Sequence, residues 1–396
     1  MTRIPDDLMG DVWPGARPGN DGSDYGTVAL SGEGPYPVRS LQSLTLTYTV
    51  GDFGLDDTGA IKIVQRWTQD GGPFQFEDPT AANYVTAKAS NGAALRLWQE
   101  PYPHQRPWYN GLRITVTRGN MAPGDSITVT LGARAGGGPG LRLQTFCERR
   151  FEYLVLADPC ATGVFLPVGS AGFEIAGGPA VSWVLVAPTL RRPGERFALG
   201  IRAEDHWGNA TGDHAEALRL GVCAGVEGLP ETVRFAKGAR GHCVDGLSVS
   251  APGTYRFTLL DSAGGTLAVS NPLVVEDSNR AAYWGDLHGQ SGETVGIDTI
   301  EEYMAFARDV AFLDVTSHQA NDFQITNAFW NQINEVTARL DAPGRFTVFP
   351  GYEWSANTPL GGDHNVFFRH EGEQIHRSSH ALLEDRSDIG TESPFL

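Results

Sequence analysis

Three histidines and one glutamate stand at the ends of short apolar runs in the last third of this chain. His288 closes Tyr283-Trp284-Gly285-Asp286-Leu287-His288 and leads into Gly289-Gln290-Ser291. His318 closes Phe312-Leu313-Asp314-Val315-Thr316-Ser317-His318, Glu353 follows Phe346-Thr347-Val348-Phe349-Pro350-Gly351-Tyr352, and His364 opens His364-Asn365-Val366-Phe367-Phe368 after Gly362-Asp363. Neutral imidazole with carboxylate is a donor mixture suited to divalent Zn, Mn or Fe. His288, His318, Glu353 and His364 are therefore the expected metal ligands. Any one of these histidines alone reads best as a structural residue; their joint occurrence with Glu353 carries the metal reading. Asp286 lies two positions before His288 and shares its face if the strand stays extended. It and Glu353 are the expected catalytic carboxylates, Asp286 as base, ligand or support for a ligating histidine. Gln290, Asp322 and Asp363 are auxiliary candidates. His370, His376 and His380 fall in a polar stretch without strand character and read as surface or lid groups.

The elements that must hold these residues change character along the chain. Residues 1–40 are rich in Gly, Pro and Asp and read as an irregular lead-in. Period-two alternation follows in Leu44-Thr45-Leu46-Thr47-Tyr48-Thr49-Val50, Leu112-Arg113-Ile114-Thr115-Val116 and Ser126-Ile127-Thr128-Val129-Thr130-Leu131. Such alternation between Gly and Pro turns marks half-buried antiparallel strands. Residues 41–175 read as one β-sandwich and 176–278 as an immunoglobulin-like second one. After Asn279 the pattern becomes alternating β and α. A helix is expected over 298–308, capped by Asp298 with Ile300, Tyr303, Met304 and Ala307 inward. Another is expected over 328–340, with Phe329, Ile333, Val336 and Leu340 inward. Strands alternating with helices imply parallel pairing through right-handed crossovers.

A chain of 396 residues exceeds one ordinary domain, which agrees with this division. A net charge of -17 argues against a nucleic-acid backbone or an anionic membrane as partner. No leader-like apolar segment and no apolar run of membrane-spanning length is visible, so a cytoplasmic location is expected. Cys147, Cys160, Cys223 and Cys243 show no CxxC spacing and read as reduced thiols.

Residues 282–396 resemble the start of the PHP (polymerase and histidinol phosphatase) superfamily. Tyr283-Trp284-Gly285-Asp286-Leu287-His288-Gly289-Gln290-Ser291, Ser317-His318-Gln319-Ala320-Asn321-Asp322-Phe323, Gly351-Tyr352-Glu353-Trp354-Ser355 and Gly362-Asp363-His364-Asn365-Val366 resemble the bacterial family called domain of unknown function 3604. The resemblance implies the first part of a (β/α)7 barrel over 279–396 behind the two sandwiches. It also implies more than one divalent metal ion in the complete protein. His288 matches the first His of the superfamily's His-x-His pair, with Gln290 in the second place. His318 matches the His of its Thr-Asp-His motif, with Ser317 in place of Asp. Glu353 matches a metal-bridging Glu, and His364 the His that follows it. Later His and Asp-x-His motifs do not occur before Leu396, so a fragment, or completion by a partner chain, is expected.

The expected function is metal-dependent hydrolysis of a small-molecule phosphoester. Two-cation sites suit phosphoryl chemistry because they neutralise charge as a nucleophile attacks. Homo-oligomerisation is compatible with the sequence. Two alternatives stand beside it. One is a non-catalytic carbohydrate- or protein-binding protein with a degenerate structural metal site. The other is a metal-dependent hydrolase or lyase acting on a non-phosphorylated small molecule.

Overall fold

A computed structural model describes residues 23–100, 106–356 and 362–393; most of the expected lead-in, through residue 22, lies outside them. The chain forms two compact units. One comprises residues 1–176, 294–297 and 381–386, the other 177–293, 298–380 and 387–396.

In the first unit, a four-stranded sheet orders Gly26–Leu30, Leu44–Val50, Ser126–Leu131 and Val85–Ala89. A six-stranded sheet is built around the antiparallel run Leu166–Ala176, Glu148–Asp158, Ala60–Arg66, Trp108–Arg118 and Ala94–Glu100. Alternation decides which side chains are buried. Leu44, Leu46, Tyr48 and Val50 are buried while the threonines between them stay half-exposed. They share one apolar core with Ile61, Ile63, Leu112, Ile114, Tyr153 and Phe173 of the larger sheet.

The second unit begins with short antiparallel strands whose core includes Leu199, Ile201, Leu247, Phe257, Leu259 and Leu273. The four cysteines of the chain are free thiols. Beyond them, Gly285–Gly289, Val315–His318 and Thr347–Phe349 form a three-stranded parallel sheet. Helices Ile300–Asp309 and Asn327–Leu340 connect its strands. The first helix is capped by Thr299, not Asp298: its hydroxyl accepts from the Glu302 amide and the Glu302 carboxylate accepts from the Thr299 amide. This reciprocal arrangement satisfies two orphan donors at once. Ile300, Met304 and Ala307 pack with Phe329, Ile333, Val336, Phe346 and Val348 in one core.

The expected fold class needs correction: the molecule is a β-rich multidomain protein of many small sheets, and no (β/α)7 barrel is present. Its two α-helices are the only ones among the described residues. The parallel pattern stops after the third strand. The run 346–353, read as one strand, breaks at Pro350 into Thr347–Phe349 and Gly351–Ser355. Proline offers no ladder donor, which favours such a break. Gly351–Ser355 then pairs antiparallel with Asp363–Phe367. The seven residues joining them are too few for a helical crossover, which needs about a dozen or more, so only antiparallel pairing is open to this pair.

Candidate functional site

His288 sits at the exit of the Gly285–Gly289 strand, and its orientation is set by a residue far away in sequence. Its Nδ1 lies 2.8 Å from Asn365 Oδ1. The Asn365 amide nitrogen donates to the Leu287 carbonyl at 3.2 Å, so Oδ1 is the acceptor end. His288 therefore carries its proton on Nδ1 and presents a lone pair at Nε2. That lone pair faces Glu353 Oε2 at 3.5 Å. Gln290 donates to the same carboxylate oxygen at 2.8 Å. Two acceptors facing each other at this separation repel unless a proton or a cation stands between them. The Glu353 side chain is 7% exposed and that of His288 54%, so the pair opens to solvent on the imidazole side.

Strand register decides which neighbours join this pair. Glu353 stands opposite Asn365, and Trp354 opposite His364. Side chains alternate across a strand, so Asn365 shares the face of Glu353 and His364 takes the other. The His364 ring lies 5.9 Å from that of Trp354. Asp363, opposite Ser355, is on the Glu353 face.

Asp286 is held at both oxygens. Oδ1 accepts from the His288 amide at 3.0 Å, and Oδ2 accepts from the Tyr303 hydroxyl at 3.2 Å. Tyr303 also meets Thr316 Oγ1 at 2.7 Å, and burial raises its hydroxyl above the ordinary tyrosine value, so it stays a donor. This approach needs Gly289: a Cβ there would stand 1.8 Å from the Tyr303 hydroxyl.

His318 is fully buried, between the rings of Tyr303 and Phe329. Its Nε2 meets Ser291 Oγ at 2.8 Å, while Nδ1 has no hydrogen-bond partner. Burial depresses its pKa to about 3, so the ring is neutral at ordinary pH. Asp322 is buried too. One of its oxygens accepts from the Ser355 amide at 2.8 Å and the other from the Ser378 amide, so both serve to pin loops.

His380 is not a surface group, contrary to the expectation from its polar surroundings. It is fully enclosed, with Nδ1 2.8 Å from Glu392 Oε2 and Nε2 2.8 Å from Asp388 Oδ1. Arg377, 1% exposed, donates to Asp388 at 2.7 Å, to the Ile325 carbonyl at 2.7 Å and to the Asp322 carbonyl. Burial alone would raise the Asp388 carboxyl, but hydrogen bonds from Arg377 and His380 outweigh it and hold it below the usual range. The side chains of this network bind the 377–392 segment to the loop carrying Asp322.

Among the described residues, no three His, Cys, Asp or Glu side chains converge into a group that would hold a metal. A two-donor site does fit in chemistry, as the His288 lone pair and the Glu353 carboxylate point at one another. The structure joins His288, Gln290 and Glu353. It keeps His364 off their face and encloses His318 in the helix layer. Sequence reading missed Asn365 and Tyr303. Asn365 was reachable through strand parity, since position 365 and not 364 must share the face of 353 once the hairpin register is known. Tyr303 carried no signal beyond its place on an apolar stripe.

Residues 280–388 match DUF3604, a family of proteins of unknown function. The DUF3604 match contains His288, His318, Glu353, His364 and Asn365. An uncharacterised protein of Chlamydia pneumoniae is 25% identical over 262 residues, covering 63% of this chain and 41% of that protein. One from Chlamydia trachomatis serovar D is 24% identical over 262 residues, covering 64% of this chain and 42% of that protein. The chain thus spans about two fifths of the length of these curated relatives. Among solved structures, the CBM3a-L domain with flanking linkers of a Clostridium thermocellum cellulosome scaffoldin matches 36% of this chain and 91% of its own. At 13% identity and a TM-score of 0.22 that likeness carries no argument. No helix among the described residues is long and apolar enough to cross a membrane.

Proposed function

We propose that the DUF3604 region holds a divalent cation between His288 and Glu353, and that the protein is a metal-dependent hydrolase of phosphoesters. The observation that carries this reading is the approach of two acceptors, His288 Nε2 and Glu353 Oε2, to 3.5 Å. Asn365 turns the imidazole so that a lone pair faces the carboxylate, and Gln290 orients the carboxylate. Those are the supporting contacts that tune metal ligands. A divalent cation at this position would neutralise developing charge on a phosphoryl oxygen and acidify a water molecule. Asp286 takes the part of base: its carboxylate is fixed by the His288 amide and Tyr303 hydroxyl, within the same loop cluster. The motifs' likeness to the PHP superfamily adds phosphoesters as the substrate class, and a cytoplasmic location belongs to the same proposal.

The test is titration of the purified chain with Mn2+ or Zn2+, beside Glu353→Gln. Near-stoichiometric uptake that falls at least tenfold in affinity in the variant supports the half-site. Hydrolysis of p-nitrophenyl phosphate by a version as long as the relatives would support the activity.

One observation favours a second reading, a binding protein with a structural ion pair. The same 3.5 Å approach is satisfied by a proton on His288 Nε2. Absence of metal uptake in both wild type and variant would favour it.

A further inference from the structure

Ser291 and Glu293 lie in the turn after the first parallel strand, and neither has a role in the half-site above. Ser291 is fully buried and touches two partners of opposite demand. Its hydroxyl donates to Glu293 Oε2 at 2.5 Å, and its oxygen lies 2.8 Å from His318 Nε2. An ionised carboxylate can only accept, and a serine has one proton to give. With that proton committed to Glu293, the contact to His318 is satisfied only if Nε2 carries hydrogen. The neutral ring has a single N–H, so Nδ1 is then a bare lone pair. This nitrogen is the buried atom without a partner. An unpaired polar atom in a core costs about 1–3 kcal/mol, which is a reason to look for what it serves. Neutrality of the ring follows from its burial, which removes the alternative of two donors.

We propose that Glu293 and Ser291 are positioning residues that fix His318 as the Nε2–H tautomer and so present its Nδ1 lone pair as a ligand for a divalent cation. The cation role rests on the metal reading of the preceding subsection, whereas the tautomer does not depend on it. The chemistry is that of a ligating imidazole whose other nitrogen donates to an oxygen, with the serine hydroxyl extending the link to a carboxylate. Glu293 acts through two intervening groups and touches neither substrate nor cation.

The experiment uses the whole chain, labelled with 15N-histidine and stripped of metal at pH 7. Long-range 1H–15N correlation reads the His318 tautomer, assigned by its loss in His318→Gln. Calorimetric titration with Mn2+ or Zn2+ reads affinity. The wild type is expected in a single Nε2–H form. Glu293→Ala frees the serine proton for His318, so a shift toward Nδ1–H is expected, with affinity down about 10- to 100-fold. Ser291→Ala should act in the same direction, and Ser291→Thr, which keeps the hydroxyl, should restore both readouts. Because Glu293 is exposed, its variant keeps the fold even if a change at buried Ser291 does not. A wild-type Nδ1–H ring overturns the proposal, as does a Glu293→Ala chain unchanged in tautomer and affinity. Wild-type chain that takes up neither ion while the tautomer shifts as expected overturns the cation role of His318 together with the His288–Glu353 half-site. If metal binds and only Glu353→Gln weakens it, the half-site stands and the role of His318 falls.

Discussion

At the level of single side chains, Asn365 decides which nitrogen of His288 is available. Asn365→Leu removes the acceptor for Nδ1, and metal affinity is expected to fall about 10- to 100-fold. His364→Ala, on the opposite face, should leave affinity unchanged; calorimetry on both variants checks the assignment, and the reverse pattern would reject the register. His318 adds a pH dependence. Its folded value near 3 lies below the ordinary 6.5, so the unfolded ring takes a proton first as pH falls. The stability gained by keeping the ring neutral is present above about 6.5 and is lost progressively below it. At pH 5 the loss is about 2 kcal/mol. Urea unfolding at pH 7 and pH 5 with chelator present should show that extra loss in wild type and not in His318→Gln. An equal loss in both would contradict the burial argument.

At the level of elements, the site depends on how closely the first helix approaches the first strand. Tyr303 of the Ile300–Asp309 helix occupies the space a side chain at Gly289 would need. Gly289→Ala should therefore cost about 1–3 kcal/mol through overpacking. Adding Tyr303→Leu should recover part of it, at the expense of the hold on Asp286. Thermal unfolding of the single and double variants measures this, and additive losses would show that the two residues do not compete for space. The break at Pro350 is the other decisive local event. It turns Glu353 from the end of a parallel strand into the middle of a hairpin strand, where its partner is Asn365.

At the level of the whole molecule, the second unit joins its two kinds of structure through one ring. Phe312, in a left-handed conformation at φ 58°, lies where a Cβ on Gly200 would stand 2.3 Å from its ring. The same ring lies 3.3 Å from the Cβ position of Gly241. Arg202 donates to the Val310 carbonyl beside it at 3.1 Å. Phe312→Ala should lower unfolding free energy by about 2 kcal/mol, the scale of one half-buried aromatic. Faster proteolysis of the DUF3604 region in that variant would locate the loss, and an unchanged denaturation midpoint would discount the contact.

Local pattern by itself determined the strands of alternating Thr and apolar residues, the two helices with their inward stripes, and the concentration of His and Glu at strand ends. Each depends on neighbours a few positions apart, so sequence spacing reports it directly. The chain pattern suggested continuing parallel pairing, but pairing partners are fixed by loop length and by a proline, and these ended the parallel sheet after three strands. Which face each ligand candidate takes was also undecidable locally. A shift of one residue in hairpin register exchanges His364 for Asn365. The burial of His380 and His318 was equally hidden, because a polar stretch and a strand end look alike in sequence whether or not Arg377, Asp388, Tyr303 and Phe329 fold over them. Tertiary packing alone decided those, since the groups enclosing each ring come from segments distant in the chain.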